Sequence, residues 1–168
     1  LGAGNAAPAV QVRTIDVAYD ARNQLQLPAP RIHTSPRNKT YVQLRTGLWL
    51  DPGDFARETA PASAGGQTVT AIGEPKSVTW NMGESSVTCD TAGSPQGTQC
   101  GYTYQRSSAD QPNGKYAISA TVTWNVRWTC AGVGCDAAGG TYAVPTMSMT
   151  TSATLAVGEV QTGNQPPS

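Results

Sequence analysis

From Lys115 to Thr129 the chain reads KYAISATVTWNVRWT, and every second residue is apolar or aromatic: Tyr116, Ile118, Ala120, Val122, Trp124, Val126 and Trp128. The intervening set, Lys115, Ala117, Ser119, Thr121, Thr123, Asn125, Arg127 and Thr129, is almost wholly polar. Successive strand side chains point to opposite faces, so this stretch predicts one half-buried β-strand. A helix would scatter Tyr116, Trp124 and Trp128 around its circumference. Its length leaves room for a bulge or bend near Thr123–Asn125.

Shorter runs repeat the pattern. Val10 to Tyr19, VQVRTIDVAY, alternates Val10, Val12, then Ile15, Val17 and Tyr19, and predicts a bulged strand or two short ones. Asp20 to Gln24 reads as a turn. In Leu25 to His33 the prolines exclude helix and confine the segment to a sheet edge or an extended arm. Tyr41 to Leu50 reads as a buried strand that Asp51-Pro52-Gly53-Asp54 ends in a turn. Gly66–Gly73 and Lys76–Met82 read as two further strands. Ser85–Cys89 and Gly101–Arg106 read as a hairpin pair, and Ala109 to Gly114 as a Pro-Asn-Gly turn. From Thr146 to Val160 the residues Met147, Met149, Thr151, Ala153, Leu155 and Val157 alternate with Ser and Thr. No segment shows sustained helical spacing. The expected architecture is all-β: a two-sheet sandwich over residues 41–161, an extended N-terminal arm over 1–40 and a polar tail over 162–168.

Charge sharpens this picture by exclusion. The 168 residues balance to a formal charge of zero, and only 13% are charged. With no block of Lys or Arg, neither nucleic acid nor an anionic membrane is the expected partner. No apolar run approaches the roughly 18–20 residues that cross a bilayer. The chain begins at Leu1, so either a leader has been removed or the sequence simply starts there.

Four cysteines, Cys89, Cys100, Cys130 and Cys135, permit three pairings. Local pairing, 89 with 100 and 130 with 135, is the expected one, each bridge closing a Gly-rich turn. A zinc site is the poorer alternative, because the spacings are loose and His33 is distant in sequence. Paired cysteines place the protein outside the cytoplasm, secreted or at the cell surface.

Two resemblances add to this. The segment Val78-Thr79-Trp80-Asn81-Met82-Gly83-Glu84, followed by Gly101-Tyr102-Thr103-Tyr104 and then Gly114-Lys115-Tyr116 through Trp124, resembles a PKD-type domain, an Ig-like sandwich. That family carries a W-D-x-G-D-G turn, an H-x-Y strand and a G-x-Y-x-V-x-x-x-V strand. Asn81 stands here for the usual Asp, Glu84-Ser85 for Asp-Gly, and Tyr102 for His. The resemblance covers roughly residues 66–129 and implies an Ig-like fold. Leu27-Pro28-Ala29-Pro30, Leu48-Trp49-Leu50-Asp51-Pro52 and Val157-Gly158-Glu159-Val160-Gln161 are similar to secreted actinobacterial proteins of unknown function, which implies no activity.

Catalytic groups are sparse. His33 is the single histidine, no G-x-S-x-G element occurs, and there is no phosphate loop. Asp51 and Asp54, with Glu58 nearby in sequence, offer too few oxygens for a calcium site. No cofactor is implied. Asn38-Lys39-Thr40 matches a glycosylation sequon. The expected function is that of a non-enzymatic extracellular structural protein, a subunit of a surface assembly or filament. In it the arm residues Val10, Val12, Ile15, Val17 and Tyr19 add a strand to a neighbour, whether another copy or another surface protein. One alternative is a carbohydrate- or protein-binding module using Trp128 and Tyr142 beside the second cysteine loop as exposed contacts for a glycan or protein; another is a monomeric domain on which the arm packs within its own chain.

Overall fold

The computed structural model describes residues 11–159, and strand dominates them. The element order is α1 (Thr14–Gln24), β1 (Ile32–Ser35), β2 (Lys39–Tyr41), β3 (Arg45–Leu50), β4 (Glu58–Ala64), β5 (Gln67–Asn81), β6 (Ser86–Cys89), β7 (Gly101–Thr103), β8 (Tyr116–Ala131) and β9 (Gly139–Gly158). One sheet has the order β1-β3-β7. The other runs β2-β9-β8-β5-β4, with β6 also on β5. The fold is an all-β sandwich. The chain forms two compact units, and β5, β8 and β9 each contribute one part of their length to each.

The first unit holds residues up to Gln26, Glu58–Gly73 and Val126–Pro145. Here the structure departs from the expected extended arm, because residues 14–24 form a helix. Ile15, Val17 and Tyr19 are therefore helical, and the turn expected at Asp20–Gln24 is the helix's second half. Thr14, Val17, Ala18 and Ala21 are its buried positions, at the i, i+3, i+4, i+7 spacing of one helix face. Two alanines on that face let the helix approach its neighbour β4 closely, and alanine is the best helix former. Val12 precedes the helix, and its carbonyl accepts from Gln67 Nε2 at 3.0 Å. Val10 and the expected tail lie outside the described residues. β4 and β5 form an antiparallel hairpin through Gly65-Gly66, whose φ values of 59° and 74° are those of a two-residue primed turn.

The second unit holds Leu27–Arg57, Glu74–Asn125 and residues from Thr146 onward. Its core sets Leu48 and Leu50 of β3 with Val78, Trp80, Ile118, Ala120, Val122, Trp124, Leu155 and Val157 of the longer sheet. The alternation of β8 appears as expected: Tyr116, Ile118, Ala120, Val122, Trp124, Val126 and Trp128 are all buried, along one uninterrupted strand. The two strands expected at 66–73 and 76–82 are one strand, β5. The expected hairpin of Ser85–Cys89 with Gly101–Arg106 does not form, since β6 pairs with β5 and β7 with β3. The two elements sit in different sheets. The Cys89–Cys100 bridge therefore ties one sheet of the sandwich to the other.

Candidate functional site

The loop between β8 and β9 is closed by the Cys130–Cys135 disulfide. It lies on the β4–β5 turn, where the Gly134 amide donates to the Gly66 carbonyl at 3.1 Å. A Cβ at Gly132 or Gly134 would strike the carbonyl oxygens of Gly66 and Gly65, so this contact requires glycine.

The two aromatics proposed as exposed contacts beside this loop are interior residues. Trp128 is 5% and Tyr142 3% exposed. The Tyr142 hydroxyl donates to the Ala18 carbonyl at 3.0 Å, Tyr19 meets its ring edge-on at 5.3 Å, and the Arg22 guanidinium lies 5.6 Å from its centroid. Burial pushes the Tyr142 hydroxyl up to about 12, with Arg22 pulling the other way. Trp128 Nε1 donates to the Thr141 carbonyl at 3.4 Å. Neither ring offers a free face for stacking a sugar. For Tyr142 the physical reason is α1, whose Ala18, Tyr19 and Arg22 cover it; Trp128 lies against Gly140 and Thr141 of β9.

In the second unit two polar clusters form. His33 lies opposite Trp49 in the β1–β3 register, with ring centroids 4.1 Å apart and planes 18° from parallel. Its Nε2 is 2.6 Å from Asp51 Oδ1. Arg31 Nε reaches Asp51 at 2.9 Å and Asp54 at 3.3 Å, and the Arg31 amide donates to Asp54 at 2.8 Å. Sequence neighbours Asp51 and Asp54 are thus tied to Arg31 and His33, while Glu58 stands on β4. Among the described residues no three His, Cys, Asp or Glu side chains gather as metal ligands. The cluster pins the lead-in to β1 against the turn after β3.

The second cluster is built on Asn81, Glu84, Tyr102, Tyr104 and Tyr116. Asn81 Oδ1 accepts from the Gly83 amide at 3.0 Å and turns the chain after β5. Glu84 then accepts from the Tyr102 hydroxyl at 2.6 Å, the Gln105 amide at 2.8 Å, the Arg106 amide at 3.2 Å and the Tyr116 hydroxyl at 3.4 Å. Burial works to raise the Glu84 carboxyl, but these donors together outweigh it and hold it below the usual carboxylate range. Burial first, and then the bond to Glu84, pushes the Tyr102 hydroxyl up to about 12. Buried Tyr104 stacks on Tyr116 at 4.8 Å and donates to the Met82 carbonyl. The cleft here, of roughly 610 Å³, is lined by groups already bonded to one another around Glu84. It is a structural knot.

What stays unpaired is an edge. β2 runs parallel to β9 but meets it only at Ala156–Gly158. Among the described residues no strand neighbours the outer side of β9 from Thr146 to Leu155. Ala156 donates to the Asn38 carbonyl and Gly158 accepts from the Val42 amide, so even-numbered residues aim their backbone groups away from β8. By the two-residue period Thr154, Ser152, Thr150 and Ser148 do the same. Side-chain burial marks the same boundary. Leu155 and Val157, beside β2, are 1% and 3% exposed, whereas inward-facing Met147, Met149, Thr151 and Ala153 are only half-buried. From Thr146 to Val157 the strand carries no charge and no proline. Those are the devices that normally protect an edge from pairing.

Sequence reading found β9 as a strand but not its open side, which depends on a three-residue partner more than a hundred positions away. No family model, curated protein or solved structure matches the chain.

Proposed function

We propose that this chain is a non-enzymatic extracellular structural or interaction protein that engages its partner by main-chain pairing along β9. The carrying observation is the uncharged, unpaired edge from Thr146 to Leu155, with half-buried side chains where a neighbouring strand is lacking. A strand laid there would satisfy the outward amides and carbonyls and complete the burial of Met147 and Met149. Backbone bonds would supply the affinity and the alternating side chains the register. Two disulfides support an oxidising compartment, and no described helix is long and apolar enough to cross a membrane. The PKD-like motif supports an Ig-like surface module, with Glu84 as the organiser of its loops. Strand donation by the N-terminal segment loses its support, because Ile15, Val17 and Tyr19 face the requirements of a packed helix.

Hydrogen exchange in the presence of a synthetic peptide of sequence TMSMTTSATL, residues 146–155, tests this. The expected result is slowed exchange at Ser148, Thr150, Ser152 and Thr154, with no change on β5. Unchanged exchange at about 1 mM peptide, a weak-binding ceiling, in a chain too dilute to self-associate would overturn edge recognition.

A further inference from the structure

Resting on that edge reading, we propose that the strand that covers β9 is β9 of a second copy, paired antiparallel about a two-fold axis through Thr150. Three observations select this occupant. First, the span from Thr146 to Val157 holds no Lys, Arg, Asp or Glu, so it meets itself without like-charge repulsion. A strand of different sequence would need no such neutrality.

Second, symmetry restricts the register. Directly opposed residues of an antiparallel pair lie on the same face of the sheet, so inward odd-numbered positions must oppose odd-numbered ones. A two-fold axis perpendicular to the sheet at Thr150 satisfies this. It sets Thr146 against Thr154, Ser148 against Ser152 and Thr150 against its own copy on the outer face. On the inner face it sets Met147 against Ala153 and Met149 against Thr151. Each long methionine meets a smaller residue, and outer hydroxyls meet hydroxyls. Centring on Met149 instead would oppose the two methionines and shorten the ladder.

Third, the even-numbered residues that aim their backbone groups outward are the ones that this register makes into hydrogen-bonded pairs, each exchanging both N–H···O bonds. The centre also falls at the middle of the open span, whose far end is closed by β2 at Ala156. The result is a continuous sheet running through both copies, with an isologous interface.

The test is sedimentation equilibrium of the full chain from roughly 10 µM to 1 mM, the range of a weak homodimer, on the protein and on Thr150→Lys, Thr150→Glu and their equimolar mixture. A dimer is expected for the unaltered chain. Each single variant, with like charges facing at the axis, should associate at least about tenfold more weakly. The mixture should restore a heterodimer. Circular dichroism checks the fold, and Ser152→Pro serves as a second edge block, since its amide faces outward and bonds nothing on β8. A monomer throughout, alongside peptide protection of the edge, would overturn the second copy and leave a foreign strand as occupant. A monomer without peptide protection would overturn both. A dimer insensitive to Thr150 charge and to Ser152→Pro would place the interface elsewhere and overturn the proposal.

Discussion

Thr14 and Asp136, 122 positions apart, exchange two hydrogen bonds: the Thr14 amide donates to Asp136 Oδ2 at 3.0 Å, and the Asp136 amide to Thr14 Oγ1 at 2.8 Å. The Thr14 hydroxyl donates in turn to Gln67 Oε1 at 2.7 Å, and Gln67 Nε2 donates to the Val12 carbonyl. Arg13, at the N-cap position, makes no side-chain cap. Asp136 therefore caps α1 from the far end of the chain, with its carboxylate at the positive end of the helix dipole.

Asp136→Ala should accordingly free the start of α1. The expected cost is about 1–2 kcal/mol, the range for loss of an N-cap, with faster amide exchange over Thr14–Val17 than over β4. Asp136→Asn, which keeps one acceptor, should lose less. Unchanged exchange in α1 after Asp136→Ala would show that the helix is held by its buried alanine face alone.

Glu84 sets a pH dependence. Its folded-state pKa is held below the ordinary carboxylate range, so its contribution is fully present above the unfolded value of about 4.3 and is lost as pH falls through the lower folded value. Glu84→Gln replaces an acceptor of four bonds with an amide that cannot accept them all, at an expected cost of about 1–3 kcal/mol near neutrality. Unfolding free energies measured from neutral pH downward should show the gap between protein and variant closing below about pH 4. A gap independent of pH would assign the loss to packing.

The same cluster shows where sequence was informative. Glu84, Tyr102 and Tyr116 lie in stretches that the sequence singles out, and their side chains meet, yet two of the four donors to Glu84 are backbone amides that no pattern reveals. β8 was legible because seven successive inward residues are large or apolar. α1 was not, because its buried set of Thr14, Val17, Ala18 and Ala21 contains a single larger apolar residue. The half-buried Ile15 and Tyr19 imitate a strand's alternation with Val17. Once α1 is a helix, Tyr142 has a roof, and the exposure inferred from its closeness to a loop disappears.

Trp128 and Tyr142 should therefore behave as core. Trp128→Ala is expected to destabilise the protein by about 3–5 kcal/mol, as for other buried tryptophans. Tyr142→Phe removes only the bond to the Ala18 carbonyl and should cost about 1 kcal/mol. Denaturant titration separates them. A folded, undiminished Trp128→Ala would return that ring to the list of surface groups.

Thr151 carries a cost that can be removed. Its Oγ1 is buried and finds no hydrogen-bond partner, while its β-branched frame fits a strand. Thr151→Val keeps the shape and discards the unpaired hydroxyl, so it should stabilise the protein by about 1 kcal/mol, the lower part of the penalty for an unsatisfied buried group. Thermal unfolding should rise by about 2–4 °C, the shift expected per kcal/mol at this size. Because Thr151 points inward and its backbone groups face β8, the substitution leaves the outer edge chemically unchanged. Association through β9 should then persist in Thr151→Val at undiminished strength. A loss of association with gained stability would mean that the hydroxyl is unpaired in one chain because it is meant for the next.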